Sequence, residues 1–73
     1  MTTTLGEARV RITFNPSDDS MVHEIKQRTA ALIDFCAAKR DSKNEEALRL
    51  WSLAMTHYED AAMWAVKAAT IRK

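Results

Sequence analysis

The sequence predicts an all-α protein: an antiparallel two-helix hairpin with a short extended N-terminal arm, assembled into a homo-oligomer. The hairpin is predicted by two long stretches that contain neither glycine nor proline and are separated by a short polar link. The assembly is predicted by size, because a chain of 73 residues has little room for a hydrophobic core of its own.

The N-terminal segment divides into two parts. Residues 1–8 are polar, rich in threonine and without periodicity, and we expect a flexible arm there, or one that a partner orders. Residues 9–73 form the single helical-hairpin domain, which opens on the period-two alternation of an extended segment. Its apolar members are Val10, Ile12 and Phe14, and its polar members are Arg9, Arg11 and Thr13. Pro16 ends the alternation, since proline fixes its own φ and restricts the preceding residue.

The first long helix is expected over residues 18–39. Ser17, Asp18 or Asp19 can cap its N-terminus, because their short polar side chains accept hydrogen bonds from free amides of the first turn. Apolar positions recur every three or four residues and predict a narrow seam for one neighbouring helix. The seam residues are Val22, Ile25, Thr29, Leu32 and Cys36, flanked by Ala30, Ile33 and Ala37.

The second long helix is expected over residues 43–71, with Ser42 and Glu45 at the spacing of a capping box. Its apolar residues lie on two faces. The first face comprises Ala47, Trp51, Ala54, Tyr58, Ala61, Ala65 and Ala68, and the second Leu50, Leu53, His57, Trp64 and Ile71. Because a hairpin covers only one face, we expect the other to pack on another chain or to hold a ligand.

The composition argues against several classes of protein. One cysteine and two histidines supply neither a disulfide nor a metal cluster, so no metal or cofactor is expected. A net charge of +1 lacks the basic field of a duplex-DNA binder. No apolar run has membrane-spanning length, and the first residues lack the pattern of a secretion signal. We therefore expect a reduced, cytoplasmic protein that binds neither DNA nor membranes.

The sequence offers few candidates for catalysis. His57 and Asp60 lie one helical turn apart, but an acid–base pair also needs a pocket and an orienting group. We interpret His57 as an interface residue, and Glu59 and Asp60 as a solvated or salt-bridged part of the surface. His23 beside Glu24 is interpreted in the same way, as a residue without a catalytic role. Cys36 is predicted to be a small buried residue. The chain is therefore not expected to be an enzyme.

Four basic residues lie near the predicted start of the first helix, close to one aromatic residue. They are Arg9, Arg11, Lys26 and Arg28, with Phe14 between them. Cations hold phosphates and a flat ring stacks on a base, so this set could bind a nucleotide. The alternative, which composition alone favours, is a core phenylalanine among solvated charges. A second anion site would form at Lys67 and Arg72 if helix C-termini converge in a symmetric oligomer.

Two segments carry a resemblance to a known family. The first contains Phe14-Asn15-Pro16-Ser17, Ile25-Lys26 and Thr29-Ala30, and the second runs from Tyr58-Glu59-Asp60 through Met63-Trp64-Ala65 to Thr70. Over residues 12–71 the chain resembles the bacteriophage anti-CBASS sponges, whose helical hairpin is shared with the anti-Thoeris sponges.

The resemblance implies a compact hexamer that binds cyclic di- or trinucleotides without cleaving them. It implies that Lys26 contacts a phosphate, that Thr29 adds a hydrogen bond and that Phe14 stacks on a base, with Arg11 taking part of that role if the register slips. We therefore predict a phage sponge that sequesters messengers such as cyclic GMP-AMP in the cytoplasm of the infected bacterial host and blocks CBASS effector activation. The alternative is a helical protein–protein interaction or regulatory module without a nucleotide ligand.

Overall fold

The computed structural model describes residues 2–16, 18–40 and 43–71. These ranges contain three helices, α1 (Leu5–Arg9), α2 (Ser20–Lys39) and α3 (Glu45–Thr70), and no strand. The predicted all-α class is therefore confirmed, and the two long helices begin two residues later than predicted.

The two long helices form an antiparallel hairpin, as predicted. Near the link between them, the Phe35 ring of α2 meets the Trp51 ring of α3 edge-on, with centroids 6.4 Å apart. At the opposite end, Lys26 of α2 lines the same depression as Val66 and Thr70 of α3. The start of α2 therefore lies beside the end of α3.

The hairpin helices begin at residues whose side chains cap them. The Asp19 carboxylate accepts from the amides of Met21 and Val22 at 2.8 and 3.3 Å, so the third of the three predicted caps is the one used. Helix α3 is capped by Asn44, whose side chain accepts from the Ala47 amide at 2.9 Å. The prediction of a Ser42 capping box falls on a residue outside the described ranges.

The buried stripe of α2 is offset from the predicted seam. Its members are Val22, Lys26, Ala30, Ile33 and Cys36. Cys36 is buried, which confirms its predicted place, but Leu32 is 43% exposed. The offset arises because α2 contacts both α3 and α1, so its buried side turns toward the groove between them. One consequence is a lysine within an otherwise apolar stripe.

Helix α3 is covered on one side only. From the first predicted face, Trp51, Ala54 and Tyr58 pack against the core, whereas Ala61 and Ala68 are exposed. The most buried residues of α3 are Met55 and Ala62, which neither predicted face included.

The second predicted face of α3 is uncovered, as expected for a hairpin. Leu50, Leu53, Trp64 and Ile71 are 41–63% exposed. Across the described ranges, the large side chains that are completely buried are Ile33 and Met55. The core is therefore small relative to the apolar surface that remains.

The N-terminal segment differs most from its prediction. Residues 1–8 were predicted to be a flexible arm, but Leu5–Arg9 forms α1, which packs on α2. Thr4 and Glu7 make a capping box: the Thr4 hydroxyl accepts from the Glu7 amide and the Glu7 carboxylate accepts from the Thr4 amide, both at 3.0 Å. A helix this short is stable because it packs on the hairpin, and short-range polarity does not reveal that packing.

The extended segment predicted after residue 9 is a turn instead. The Ile12 amide donates to the Glu7 carbonyl at 2.9 Å and the Phe14 amide to the Arg11 carbonyl at 2.8 Å. Arg11 has a φ of 56°, in the left-handed region. The apolar residues of this segment do not share one buried face, as those of a strand would. Val10 packs in the core, whereas Phe14 is 53% exposed.

Gly6 permits the docking of α1. Its amide donates to the Asp34 carboxylate at 2.7 Å. A Cβ atom at this position would lie 2.1 Å from the Ala30 carbonyl oxygen and 2.9 Å from the Asp34 carboxylate oxygen. Only glycine allows so close an approach of two helix backbones.

Substitution of Gly6 should test this contact. We expect Gly6→Ala to lower the free energy of unfolding by about 1–3 kcal/mol, because the methyl group must displace α1 from the backbone of α2. Urea denaturation at one fixed protein concentration measures the effect. Ala8→Ser, at an exposed position of α1, is the matched control and should change stability by under ~0.5 kcal/mol. Equal urea midpoints for the two variants would contradict the assignment.

Candidate functional site

A cavity of about 300 Å³ lies where the turn formed by residues 10–14 meets α2 and α3. It brings together three of the predicted site residues, Arg11, Phe14 and Lys26. The remaining wall residues are Arg9, Val10, Glu59, Ala62, Met63 and Val66. The cavity therefore combines an apolar floor with cations and one aromatic ring.

Lys26 reaches the cavity from within the buried stripe of α2. Its side chain donates from Nζ to the Arg11 carbonyl at 2.9 Å and to the Phe14 carbonyl. Only 6% of the residue is exposed, and within the described ranges it is the one charged residue that is buried. These hydrogen bonds replace the water that the ammonium loses on burial.

The surroundings of Lys26 disfavour its charge. Burial lowers the pKa of the Lys26 ammonium, and the positive charge of Arg11 lowers that pKa further. An anion in the cavity would act in the opposite direction, because an opposite charge nearby favours the protonated amine.

Phe14 and Arg11 form the outer edge of the cavity. The Arg11 guanidinium carbon lies 4.4 Å from the centroid of the Phe14 ring, and Lys26 Nζ lies 5.4 Å from it. Because 53% of Phe14 is exposed, part of the ring remains accessible. The same residue also borders two neighbouring depressions, one toward α1 and one toward the end of α3. A flat partner can therefore approach the ring beside two cations.

An ion pair that the sequence did not predict closes one side of the cavity. Arg9 Nε donates to Glu59 Oε1 at 2.8 Å, and Arg9 Nη2 donates to the Thr56 hydroxyl at 3.4 Å. Arg9 is part of the predicted basic cluster, and Glu59 is predicted to be solvated or salt-bridged, but the sequence does not predict that the two residues pair with each other. The two residues are 50 positions apart, and only the docking of α1 on the hairpin brings them together.

The other predicted site residues lie elsewhere. The Thr29 hydroxyl donates to the Ile25 carbonyl at 2.8 Å, and Thr29 does not line the cavity. Lys67 of the predicted second anion site lies with its Nζ 5.5 Å from the exposed Trp64 ring. Arg72 is outside the described ranges. A role for Thr29 or for the Lys67 site remains a prediction.

The weaker candidates from the sequence lie outside the cavity. His23, His57 and Asp60 are exposed. In the described ranges, no group of three or more His, Cys, Asp or Glu side chains is arranged to hold a metal ion. No helix of those ranges combines the length and the apolarity needed to cross a membrane.

The fold and the cavity together define the class: a small helical-hairpin protein with a cavity at one end of the hairpin that is lined by cations and one aromatic ring. The family model described as "Acb2/Tad1, hairpin domain" matches residues 6–70. The chain belongs to this family, that of the anti-CBASS and anti-Thoeris sponges. No curated protein and no solved structure shows significant similarity to the chain.

The ion pair between Arg9 and Glu59 should be measurable by a double-mutant cycle with Arg9→Gln and Glu59→Gln. The side chains are 26% and 37% exposed, so we expect a coupling of only about 0.2–1 kcal/mol in urea denaturation, decreasing at high salt. The Glu24–Arg28 pair, 59% and 76% exposed, is the control and should couple more weakly. A coupling no larger than that of the control would mean that the ion pair does not fix α1.

Proposed function

We propose that this protein is a phage anti-defence sponge that binds cyclic oligonucleotide immune messengers and sequesters them without cleavage. The observation that supports the proposal best is the cavity, which holds three cations and an accessible aromatic ring within a chain of this family. Its volume of about 300 Å³ is at the lower end of small-molecule sites.

The charge of the cavity fits a small dianion. Arg9, Arg11 and Lys26 contribute +3 and Glu59 contributes −1, which leaves +2 among the wall residues. A cyclic dinucleotide carries two phosphodiester groups of one negative charge each. The net charge of the cavity wall therefore equals that of such a ligand in magnitude and is opposite in sign.

Each wall residue has a role in this proposal. Phe14 stacks on a base, the Arg11 guanidinium lies beside a phosphate, and Lys26 offers a remaining N–H to the same anion. Binding alone is sufficient, because lowering the free messenger keeps the host effector inactive by mass action. We propose on the same grounds that the protein is not an enzyme and acts in the cytoplasm of the infected bacterial host, where the messenger is made.

The binding site can be tested by calorimetric titration with cyclic GMP-AMP. We expect Phe14→Ala to weaken binding by about 1–3 kcal/mol, the usual contribution of one stacked base. Phe35→Ala is a matched control, because Phe35 is 57% exposed and also has a cation, Lys39 Nζ, 5.2 Å from its ring. It should leave the affinity unchanged as long as the subunit number is unchanged.

The fate of the ligand separates the proposed function from its alternatives. After heat denaturation, chromatography should recover the nucleotide unchanged. Hydrolysed nucleotide would show an enzyme. No binding of cyclic GMP-AMP or of a panel of cyclic di- and trinucleotides would reject the sponge and favour a helical protein–protein interaction module.

We also propose that the protein is a homo-oligomer, a hexamer by analogy with the family. The support is the uncovered face of α3, where Leu50, Leu53 and Trp64 are 41–63% exposed. Leu53→Asp should reduce the sedimentation coefficient, because a charge on that face opposes its burial between subunits. Gln27→Asp places the same charge on an exposed polar position of α2 and should sediment like the wild type. A wild-type chain that sediments as a monomer would reject the proposal.

A further inference from the structure

We propose that Lys26 is a positioning residue: its ammonium holds residues 11–14 in the turn that forms the cavity, before any ligand binds. The proposal deepens the proposed function for the ligand, but its statement about the free protein does not depend on that function. It assigns Lys26 a role that a phosphate contact alone would not give it.

The hydrogen bonds of Lys26 are the first support. An ammonium has three N–H donors. Two of them reach the carbonyls at the two ends of the turn, those of Arg11 and Phe14. Lys26 also lines the wall of the cavity. The lysine therefore connects α2 to both ends of the turn while it faces the ligand site.

The backbone of the turn shows why such a connection is needed. Arg11 has a φ of 56°, which is unfavourable for a residue with a side chain, so this conformation persists only where surrounding contacts enforce it. Within the turn, the Phe14 amide donates to the Arg11 carbonyl at 2.8 Å. Lys26 adds hydrogen bonds to both carbonyls and so resists opening of the turn.

The position of Lys26 in α2 is the third support. It occupies the stripe of Val22, Ala30 and Ile33, where an apolar side chain would pack without losing hydration. The neighbouring Arg11 repels the Lys26 ammonium, because both are positively charged and both approach the Phe14 ring. The Arg11 guanidinium carbon lies 4.4 Å from the ring centroid. A lysine here is unfavourable for packing alone, and the hydrogen bonds to the turn account for its presence.

Amide hydrogen exchange of the free full-length chain tests the proposal. In Lys26→Met, a side chain of similar length without donors, we expect the Phe14 and Ile12 amides to exchange at least roughly tenfold faster than in the wild type. The amides of Ile33 and Met55 in the core should change by less than about twofold. Unchanged exchange at Phe14 and Ile12 would overturn the proposal.

Arg11→Asn is the matched control. The substitution removes the other cation of the turn, and asparagine tolerates the positive φ at position 11. The Phe14 amide should therefore keep its protection from exchange. Both variants should weaken binding of cyclic GMP-AMP, but only Lys26→Met should also lose protection in the free protein. Equal loss of protection in both variants would show a general effect of charge and overturn the specific role of Lys26.

A measurement on the wild type covers the case in which Lys26→Met does not fold. Amine-optimised ¹H–¹⁵N NMR should show a slowly exchanging Lys26 ammonium with scalar couplings across hydrogen bonds to the Arg11 and Phe14 carbonyl carbons. An ammonium that exchanges as fast as that of an exposed lysine would overturn the proposal. If no cyclic nucleotide binds the wild type, the proposed function fails, whereas exchange and NMR still decide the role of Lys26.

Discussion

The close approach of Gly6 to the backbone of α2 is the contact on which the cavity depends. Because no Cβ separates the two helices, α1 lies against Ala30, and the Asp34 carboxylate can accept from its first turn. At the end of α1, Arg9 pairs with Glu59 of α3, and the turn that contains Phe14 begins. The cavity wall, which combines the end of α1 and the following turn with α2 and α3, therefore depends on glycine at position 6.

Lys26 places a charged group in the buried stripe of α2, where desolvation opposes the stability of a small fold. A chain with so few completely buried large side chains has little stability to offset the burial of a charged group in the stripe of α2. Lys26 is buried there, and desolvation lowers the pKa of its ammonium. The energetic cost is reduced by its backbone carbonyl partners, and on the proposed function an anionic ligand would reduce it further. Ligand binding and the stability of the folded state are then coupled.

The sequence predicts the two long helices well, because absent glycine and proline, capping residues and periodic apolar positions are local signals. It also predicts that Phe14, Lys26 and Arg11 lie near one another, because all three lie close to the predicted start of the first long helix, whereas their separate roles are only implied by the resemblance. The α1 capping box was present as Thr4-x-x-Glu7, but the polar composition obscured it. The segment after α1 resembles a strand in sequence, because an alternation over six residues also occurs in a turn whose apolar side chains differ in exposure. The pairing of Arg9 with Glu59 has no local signal, since it requires knowing how α1 docks.

The distribution of charge bears on which anions the cavity can attract. The chain carries +1 in total and the cavity wall +2, so the remaining residues sum to −1. The phosphates of a duplex are spread along its length, whereas the surface outside the cavity wall carries no net positive charge. Such a surface would make few of the phosphate contacts that release counterions. A compact dianion can place both charges among Arg9, Arg11 and Lys26 while a base lies on Phe14. On the proposed function, positive charge concentrated in the cavity of a near-neutral chain favours a compact cyclic nucleotide over a long nucleic acid.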